Sequence, residues 1–353
     1  MARPEPATAG PIAVLFGTRP EAIKLAPVIL ELRRRGTPTT VITTGQHREL
    51  VDQVLELFDI RADHDLRLME HGAGLDQILS RALTGVGELL RERSPAALVV
   101  QGDTTSTLAA ALAAFHARVP LAHVEAGLRS HDLDLPFPEE MNRRVVSMVA
   151  RWNFAPTEPA AENLRREGHA GHLEVTGNTV VDALQHIVAS SADGPMDPAQ
   201  AVPSPYVLAT AHRRESWGAP IERISLALRD ILEARPELHL LFATHPNPAA
   251  RDPVNRVLAE QPRARVVDAL DYRSFLGLLR GSVLTISDSG GVQEEGPTLG
   301  IPVLVTRAVT ERPEGLKAGA VELVGTDRDR IREAALRLLS DPAARERMAR
   351  AGR

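Results

Sequence analysis

Short apolar runs alternate with stretches in which apolar positions recur every three or four residues along nearly the whole chain. The runs Ile12–Phe16, Thr40–Thr43, Leu98–Gln101, Leu121–Val124, Leu173–Thr176, Tyr206–Thr210, Leu240–Thr244, Arg265–Val267, Val283–Ile286 and Pro302–Val305 predict strands. They are continuous and not alternating, as in parallel strands covered on both faces. Between them, Ala22–Arg34, Arg48–Phe58, Gln77–Glu92, Thr107–Ala117, Ile221–Glu233 and Ile331–Leu339 predict amphipathic helices. Parallel neighbours need crossovers, which helices supply, so the chain reads as α/β with doubly wound sheets. A stretch rich in Pro, Gly and Ser, Ser190–Pro205, divides it. The expected organisation is a first domain over residues 10–189, a linker over 190–205 and a second domain over 206–353. Two doubly wound domains facing a central cleft would point the carboxyl ends of their strands into it, where open α/β sheets bind ligands.

Composition narrows the function. The 353 residues suit roughly two domains. With 41 Lys plus Arg against 46 Asp plus Glu, the net charge is −5, which argues against a general nucleic-acid binder. Two Trp, two Tyr and seven Phe leave little for base stacking. There is no cysteine, which excludes disulfides, thiol catalysis and Cys-based zinc sites. His123-Val124-Glu125 therefore cannot be the H-x-E of a zinc deaminase. No apolar run is long enough to span a membrane, and the polar, Pro-rich residues 1–11 lack the apolar core of a signal peptide, so a cytoplasmic protein is expected.

The candidate chemistry lies at predicted strand ends. Phe16-Gly17-Thr18-Arg19-Pro20-Glu21 opens a helix directly after the first strand, and Arg19, with Lys24 one turn on, suits a phosphate. A plain βα turn with a surface arginine is the alternative. The segment matches neither the dinucleotide fingerprint nor a Walker loop. Gln101-Gly102-Asp103-Thr104 ends a strand, with Asp103 in the turn or, together with the threonines, capping the next helix. Glu125 ends another strand. Pro136-Phe137-Pro138-Glu139-Glu140 starts a helix whose first turn holds two carboxylates, where acidic residues also complement the helix dipole. Asp103, Glu125 and Glu139 converging on one cleft would tune one another for acid–base work. In the second half, His212 beside Arg213 and Arg214 suits anion binding with proton transfer. Thr244-His245-Pro246 reads equally as a turn or a site. Ser289-Gly290-Gly291 before a helix offers backbone amides to a pyrophosphate, and Glu295, one turn in, can accept two ribose hydroxyls. Arg312, after the next strand, adds positive charge. His169 and His172 read as loop histidines with no third ligand for a metal. The residues together read as an enzyme for a nucleotide diphosphate compound, and no residue set calls for a metal or a redox cofactor.

FGTRPEAIKLAPVI, TGQHRELVDQVLELF, QGDTTSTLAAALAAF, HVEAGLRS, PFPEEMNRR, TGNTVVDAL, AHRRESWG, SDSGGVQEEGPTLGIPVLV and TERPEGLKAGAVELVGTD run from about Gly17 to Asp327 in the order of a known family. The chain resembles the bacterial non-hydrolysing UDP-N-acetylglucosamine 2-epimerases. The resemblance implies two Rossmann-like domains in the glycosyltransferase-B arrangement, a homodimer, no cofactor, and interconversion of UDP-GlcNAc and UDP-ManNAc. It implies Asp103, Glu125 and Glu139 as acidic catalytic residues and His212 as a catalytic or diphosphate-contacting histidine. It implies Arg19, Lys24, Phe275, Ser289, Gly290, Gly291, Glu295 and Arg312 as UDP-sugar positions, with Phe275 near the uracil. Gln46, Arg213 and His245 match parts of an activator site for a second UDP-GlcNAc, whereas Glu49 and Glu70-His71-Gly72 depart from it. The family pattern also continues past Arg353 with a glycine-containing segment and a last helix. A modified diacetamido sugar substrate, a hydrolysing epimerase, a retaining glycosyltransferase and a non-catalytic UDP-sugar sensor are the competing readings.

Overall fold

The computed structural model describes residues 10–45, 48–68, 73–169, 171–190, 202–211, 213, 216–245, 247–268, 270–310 and 313–352. The chain falls into two compact units that divide between Ile187 and Val188, near the end of the helix that closes the first one. Most of the expected linker, residues 191–201, lies outside the described residues.

The first unit alternates strand and helix in the order β1 (Ile12–Phe16), α1 (Arg19–Arg34), β2 (Thr39–Thr43), α2 (Arg48–Leu57), β3 (His64–Asp65), α3 (Leu75–Arg93), β4 (Ala97–Gln101), α4 (Thr105–Ala117), β5 (Leu121–Val124), α5 (Glu139–Val149), β6 (Trp152–Ala155), α6 (Glu158–Arg166), β7 (His172–Val175) and α7 (Thr179–Ser190). Among the described residues its seven strands are all parallel, in the order β3-β2-β1-β4-β5-β6-β7. The order reverses between β1 and β4. Every residue of β4 and β5 is buried, as continuous apolar runs require. The edge strand β7 is mostly exposed. Helix α4 is buried almost all round, and its run of alanines lets it lie close between α3 and α5. The core gathers Leu15, Ile42, Leu90, Leu98, Val100, Leu121 and Val146.

The second unit repeats the plan with β8 (Tyr206–Ala211), α8 (Ala219–Ala234), β9 (His239–Thr244), α9 (Pro248–Leu258), β10 (Ala264–Val267), α10 (Tyr272–Gly281), β11 (Leu284–Ser287), α11 (Val292–Thr298), β12 (Val303–Val305), α12 (Pro313–Ala318), β13 (Val321–Leu323), α13 (Arg328–Ser340) and α14 (Pro342–Arg350). Its parallel sheet runs β10-β9-β8-β11-β12-β13, with the reversal between β8 and β11. Both units are thus Rossmann-like, and in each the reversal parts the loops of two adjacent strands. Three strands are absent from the hydrophobic pattern: β3, β6 and β13. Two of them are very short, and β6 carries a buried Asn153 where an apolar residue would mark the run.

One glycine near the site has no substitute. Gly127 has φ +89, and a methyl group there would stand 2.2 Å from the carbonyl oxygen of Ala160. Gly127→Ala combines a left-handed backbone with a backbone overlap. It is expected to cost about 2 kcal/mol or more, read as a lowered midpoint in urea unfolding.

Candidate active site

The first unit concentrates charge where β4 and β5 end, with Gln101 paired to Val124 in the sheet. After β4 the chain turns through Gly102, at φ +73, into Asp103. Thr104, not Asp103, caps α4, accepting the amide of Thr107 at 3.1 Å. The Asp103 carboxylate is left for Arg143, whose Nε and Nη2 donate to Oδ2 at 2.9 and 2.5 Å. Asn142 steadies the same turn by donating to the Asp103 carbonyl at 2.9 Å. Both donors come from the early turns of α5, which Glu139 opens half-buried. The neighbouring Glu140 is fully buried and accepts from Arg143, Arg144 and the Ser130 amide.

Glu125 follows β5 directly, with φ +61, an unusual conformation for a side-chain-bearing residue. Lys24 Nζ lies 2.5 Å from its Oε1, the Gln101 amide donates to Oε2, and Asn178 Nδ2 lies 3.4 Å from Oε1. Lys24, anticipated as a second cation for a phosphate, thus stands among the carboxylates. Arg19 opens α1 half-buried, and among the described residues its guanidinium has no hydrogen-bond partner. The helix N-terminus beside it differs from expectation. The amides of Gly17 and Thr18 both donate to the Glu21 carboxylate, at 2.9 and 2.7 Å, so they are already satisfied within the chain. Any anion bound there would have to be held through Arg19.

His123 supports the acidic turn from behind. It is fully buried, with Nε2 2.8 Å from the Gly102 carbonyl and Nδ1 3.2 Å from the Ser147 hydroxyl. A carbonyl only accepts, so Nε2 carries the hydrogen and Nδ1 accepts from Ser147. Burial pushes its pKa down to about 4, and the ring is neutral in the native protein at pH 7. Nearby, Arg129 grips Glu167 with two bonds of 2.8 and 2.7 Å, which hold that carboxyl at about 2. The histidines His169 and His172 each bond a nearby glutamate, Glu167 and Glu174.

In the second unit the polar groups again lie at the reversal. The hydroxyls of Thr210 and Ser287 meet at 2.6 Å, and Ser287 accepts the Ser289 amide at 2.9 Å. Asp288 is buried and accepts from the Arg213 amide and the Ser216 hydroxyl. Ser289, Gly290 and Gly291 then lead, half-buried, into α11. Gln293 ties this turn to the next loop, donating to the Ser289 carbonyl and accepting the Thr310 hydroxyl at 2.6 Å. Glu295 is buried, and its Oε1 accepts the Tyr272 hydroxyl at 2.9 Å. Phe275 packs half-buried against Val292, Val303, Val305 and Val321. The His245 ring lies 5.5 Å from Trp217, and its Nδ1 accepts the Asn247 amide. Gln46, His212 and Arg312 lie outside the described residues.

A family model described as UDP-N-acetylglucosamine 2-epimerase matches residues 30–353. The chain belongs to this family. It is 45% identical to the UDP-N-acetylglucosamine 2-epimerase of Escherichia coli K12, over 96% of this chain and 93% of that one. It is 42% identical to the Neisseria meningitidis enzyme of the same name, with the same coverage. A crystal structure of UDP-GlcNAc 2-epimerase from Neisseria meningitidis bound to UDP-GlcNAc superposes with a TM-score of 0.91 at 41% identity, over 96% of this chain and 94% of that one. The Methanocaldococcus jannaschii enzyme in complex with UDP-GlcNAc and UDP gives 0.80 at 29% identity, over 96% and 98%.

Several partners of the epimerase-family residues escape a reading of the sequence: Glu21, Gln101, Arg143 and Asn178 in the first unit, Tyr272 and Gln293 in the second. Only Glu21 carries a local signal, since Thr18-Arg19-Pro20-Glu21 has the spacing of a capping box. Apart from the bond of Gln293 to the Ser289 carbonyl, the others act on residues distant in sequence. The buried His123 generates a test. Its pKa is about 6.5 unfolded and about 4 folded, so the unfolded chain alone takes up the proton as pH falls through that window. Stability should therefore fall by about 3 kcal/mol between pH 6.5 and pH 4 on this account, and a His123→Asn variant should lose that part of the slope in urea titrations.

Proposed function

We propose that this chain interconverts UDP-GlcNAc and UDP-ManNAc by inverting carbon 2 without hydrolysing the nucleotide. The observation that carries the reading is the pair of gripped carboxylates at adjacent strand ends, Asp103 on Arg143 and Glu125 on Lys24, in a chain of the 2-epimerase family. Carbon 2 bears an amide nitrogen and is not next to a carbonyl, so its hydrogen is weakly acidic. Removing it while the bond from carbon 1 to the diphosphate oxygen breaks gives 2-acetamidoglucal and UDP, with the bonding pair leaving on the diphosphate. Proton delivery to the opposite face of carbon 2 and return of UDP to carbon 1 give the epimer. The sequence is redox-neutral and needs two proton-handling groups and a firm hold on UDP. Asp103, Glu125 and Glu139 handle the protons in this reading. Ser289, Gly290, Gly291, Arg312 and His212 hold the diphosphate, and the Glu295 carboxylate, oriented by Tyr272, faces the ribose. Orientation supports it: a carboxylate fixed by a charge-assisted bond is preorganised for one direction of transfer.

The test is proton NMR of the native chain with UDP-GlcNAc in heavy water. The carbon-2 proton should disappear as UDP-ManNAc accumulates, and Asp103→Asn or Glu125→Gln should each slow this by about a hundredfold or more. A folded native chain that neither exchanges carbon 2 nor forms product would sink the reading.

We also propose a homodimer through the outer faces of α4 and α5. Phe115 is 56% exposed on α4, and Met141 and Met148, seven residues apart on α5, are 40% and 66% exposed. The two helices pack against each other, and each leaves large apolar side chains exposed. Sedimentation should show a dimer for the native chain and a monomer for the double variant Phe115→Glu, Met148→Glu. A native monomer at tens of micromolar would overturn the proposal.

A further inference from the structure

Glu21 has no part in the chemistry above, yet its side chain is saturated. It is 3% exposed. Its Oε2 accepts three hydrogen bonds, from the Gly17 amide at 2.9 Å, the Thr18 amide at 2.7 Å and the Thr18 hydroxyl at 2.8 Å. Its Oε1 accepts two, from the hydroxyls of Thr104 at 2.7 Å and Thr107 at 2.6 Å. Among the described residues no cation pairs with it. A carboxylate removed from water without a counter-ion is costly unless its lone pairs are used, and here all of them are. Its place in the first turn of α1 adds the favourable end of the helix dipole.

The five donors come from two strand-to-helix junctions only, Gly17 and Thr18 before α1 and Thr104 and Thr107 at the start of α4. One follows β1, the other follows β4, and these strands lie side by side where the sheet reverses. The first loop leads into the helix that carries Lys24, and Lys24 reaches Glu125. The second contains Asp103, which Arg143 holds. Glu21 is the direct tie between the two.

We propose that Glu21 is a positioning residue of the epimerase reaction, a fixed buried carboxylate that sets the Lys24–Glu125 pair against the Asp103–Arg143 pair. The inference rests on the reading that these carboxylates handle the protons. Glu21 itself moves none and touches no substrate, because every acceptor site on it is filled. Its loss displaces one proton-handling group from another, which lowers turnover and leaves UDP-sugar binding through the second unit intact.

The experiment uses the full chain with Glu21→Ala, Glu21→Gln and Thr107→Val, measuring kcat, KM and backbone amide exchange. In Glu21→Ala, kcat should fall by about a hundredfold, the penalty for reacting groups misplaced by about 1 Å, with KM within about threefold of native. Glu21→Gln should recover to within about tenfold of native kcat on the same scale. Its remaining oxygen still serves the two amides, and its amide can donate to the threonine hydroxyls, which rotate to accept. Exchange in Glu21→Ala should quicken in residues 14–19 and 101–108 together, and not in residues 286–292. Native kcat in Glu21→Ala, a loss confined to KM, or unchanged exchange in 101–108 would overturn the proposal. Should Glu21→Ala not fold, Thr107→Val must show lowered kcat at native KM with faster exchange in both loops, and native behaviour in it would equally overturn the proposal. A native chain that leaves UDP-GlcNAc unchanged would defeat the functional reading alone, while the exchange data still decide whether Glu21 ties the loops.

Discussion

A parallel strand buried on both faces has room for a charged side chain only beyond its end. All of β4, β5 and β8 is buried, and so is most of β1. The charges of the first unit are therefore displaced into the loops that follow β1, β4 and β5. Because the sheet reverses between β1 and β4, those loops leave in different directions and open the space where Lys24, Asp103 and Glu125 gather. The second unit obeys the same constraint. Ser287 ends β11 opposite Thr210 of β8, and Asp288 and the glycine turn stand just beyond it.

Crowding charges at a sheet end carries an electrostatic cost that the structure meets pair by pair. Glu125 receives an ammonium and two side-chain amides, Asp103 a guanidinium and, through its carbonyl, the amide of Asn142. Arg143 is shared between Asp103 and the buried Glu140, which also takes Arg144. Removing one member of such a set strands the others in low dielectric, so α5 is committed to its position by electrostatics as much as by packing. The benefit is orientation: groups that cannot rotate need no reorganisation as charge moves in the reaction.

The sheets were largely legible because burial on both faces writes itself as continuous apolar runs, and the loops after them named the candidate residues. Strand β6 was not legible, since its buried Asn153 interrupts the run with a polar residue. The start of α5 was legible from two glutamates after Pro138, but the grip of Arg143 on a carboxylate forty positions earlier was not. Spacing placed Lys24 one turn beyond Arg19 and so suggested a shared phosphate. Spacing cannot show that this turn rotates the side chain towards the end of β5. The same limit applies to Glu21. Its bond back to Thr18 is local and has a pattern, whereas its bonds to Thr104 and Thr107 exist only because β1 and β4 are neighbours.

Composition sharpens the reading of Lys24. Of the 41 basic residues only Lys24 and Lys317 are lysines, so arginine serves nearly every cationic position in this chain. Most of those arginines lie at the surface, where a planar fork of five donors finds water or a second carboxylate. Lys24 is different: its side chain is 8% exposed, and its Nζ meets one oxygen of a carboxylate whose other oxygen already belongs to Gln101. A guanidinium pairs best with both oxygens at once and would have to displace Gln101 to do so. An ammonium is a compact charge that satisfies a single oxygen and leaves the rest of Glu125 to its other partners. The cation at this position is thus set by the carboxylate it must hold, and the carboxylate by the strand end that exposes it.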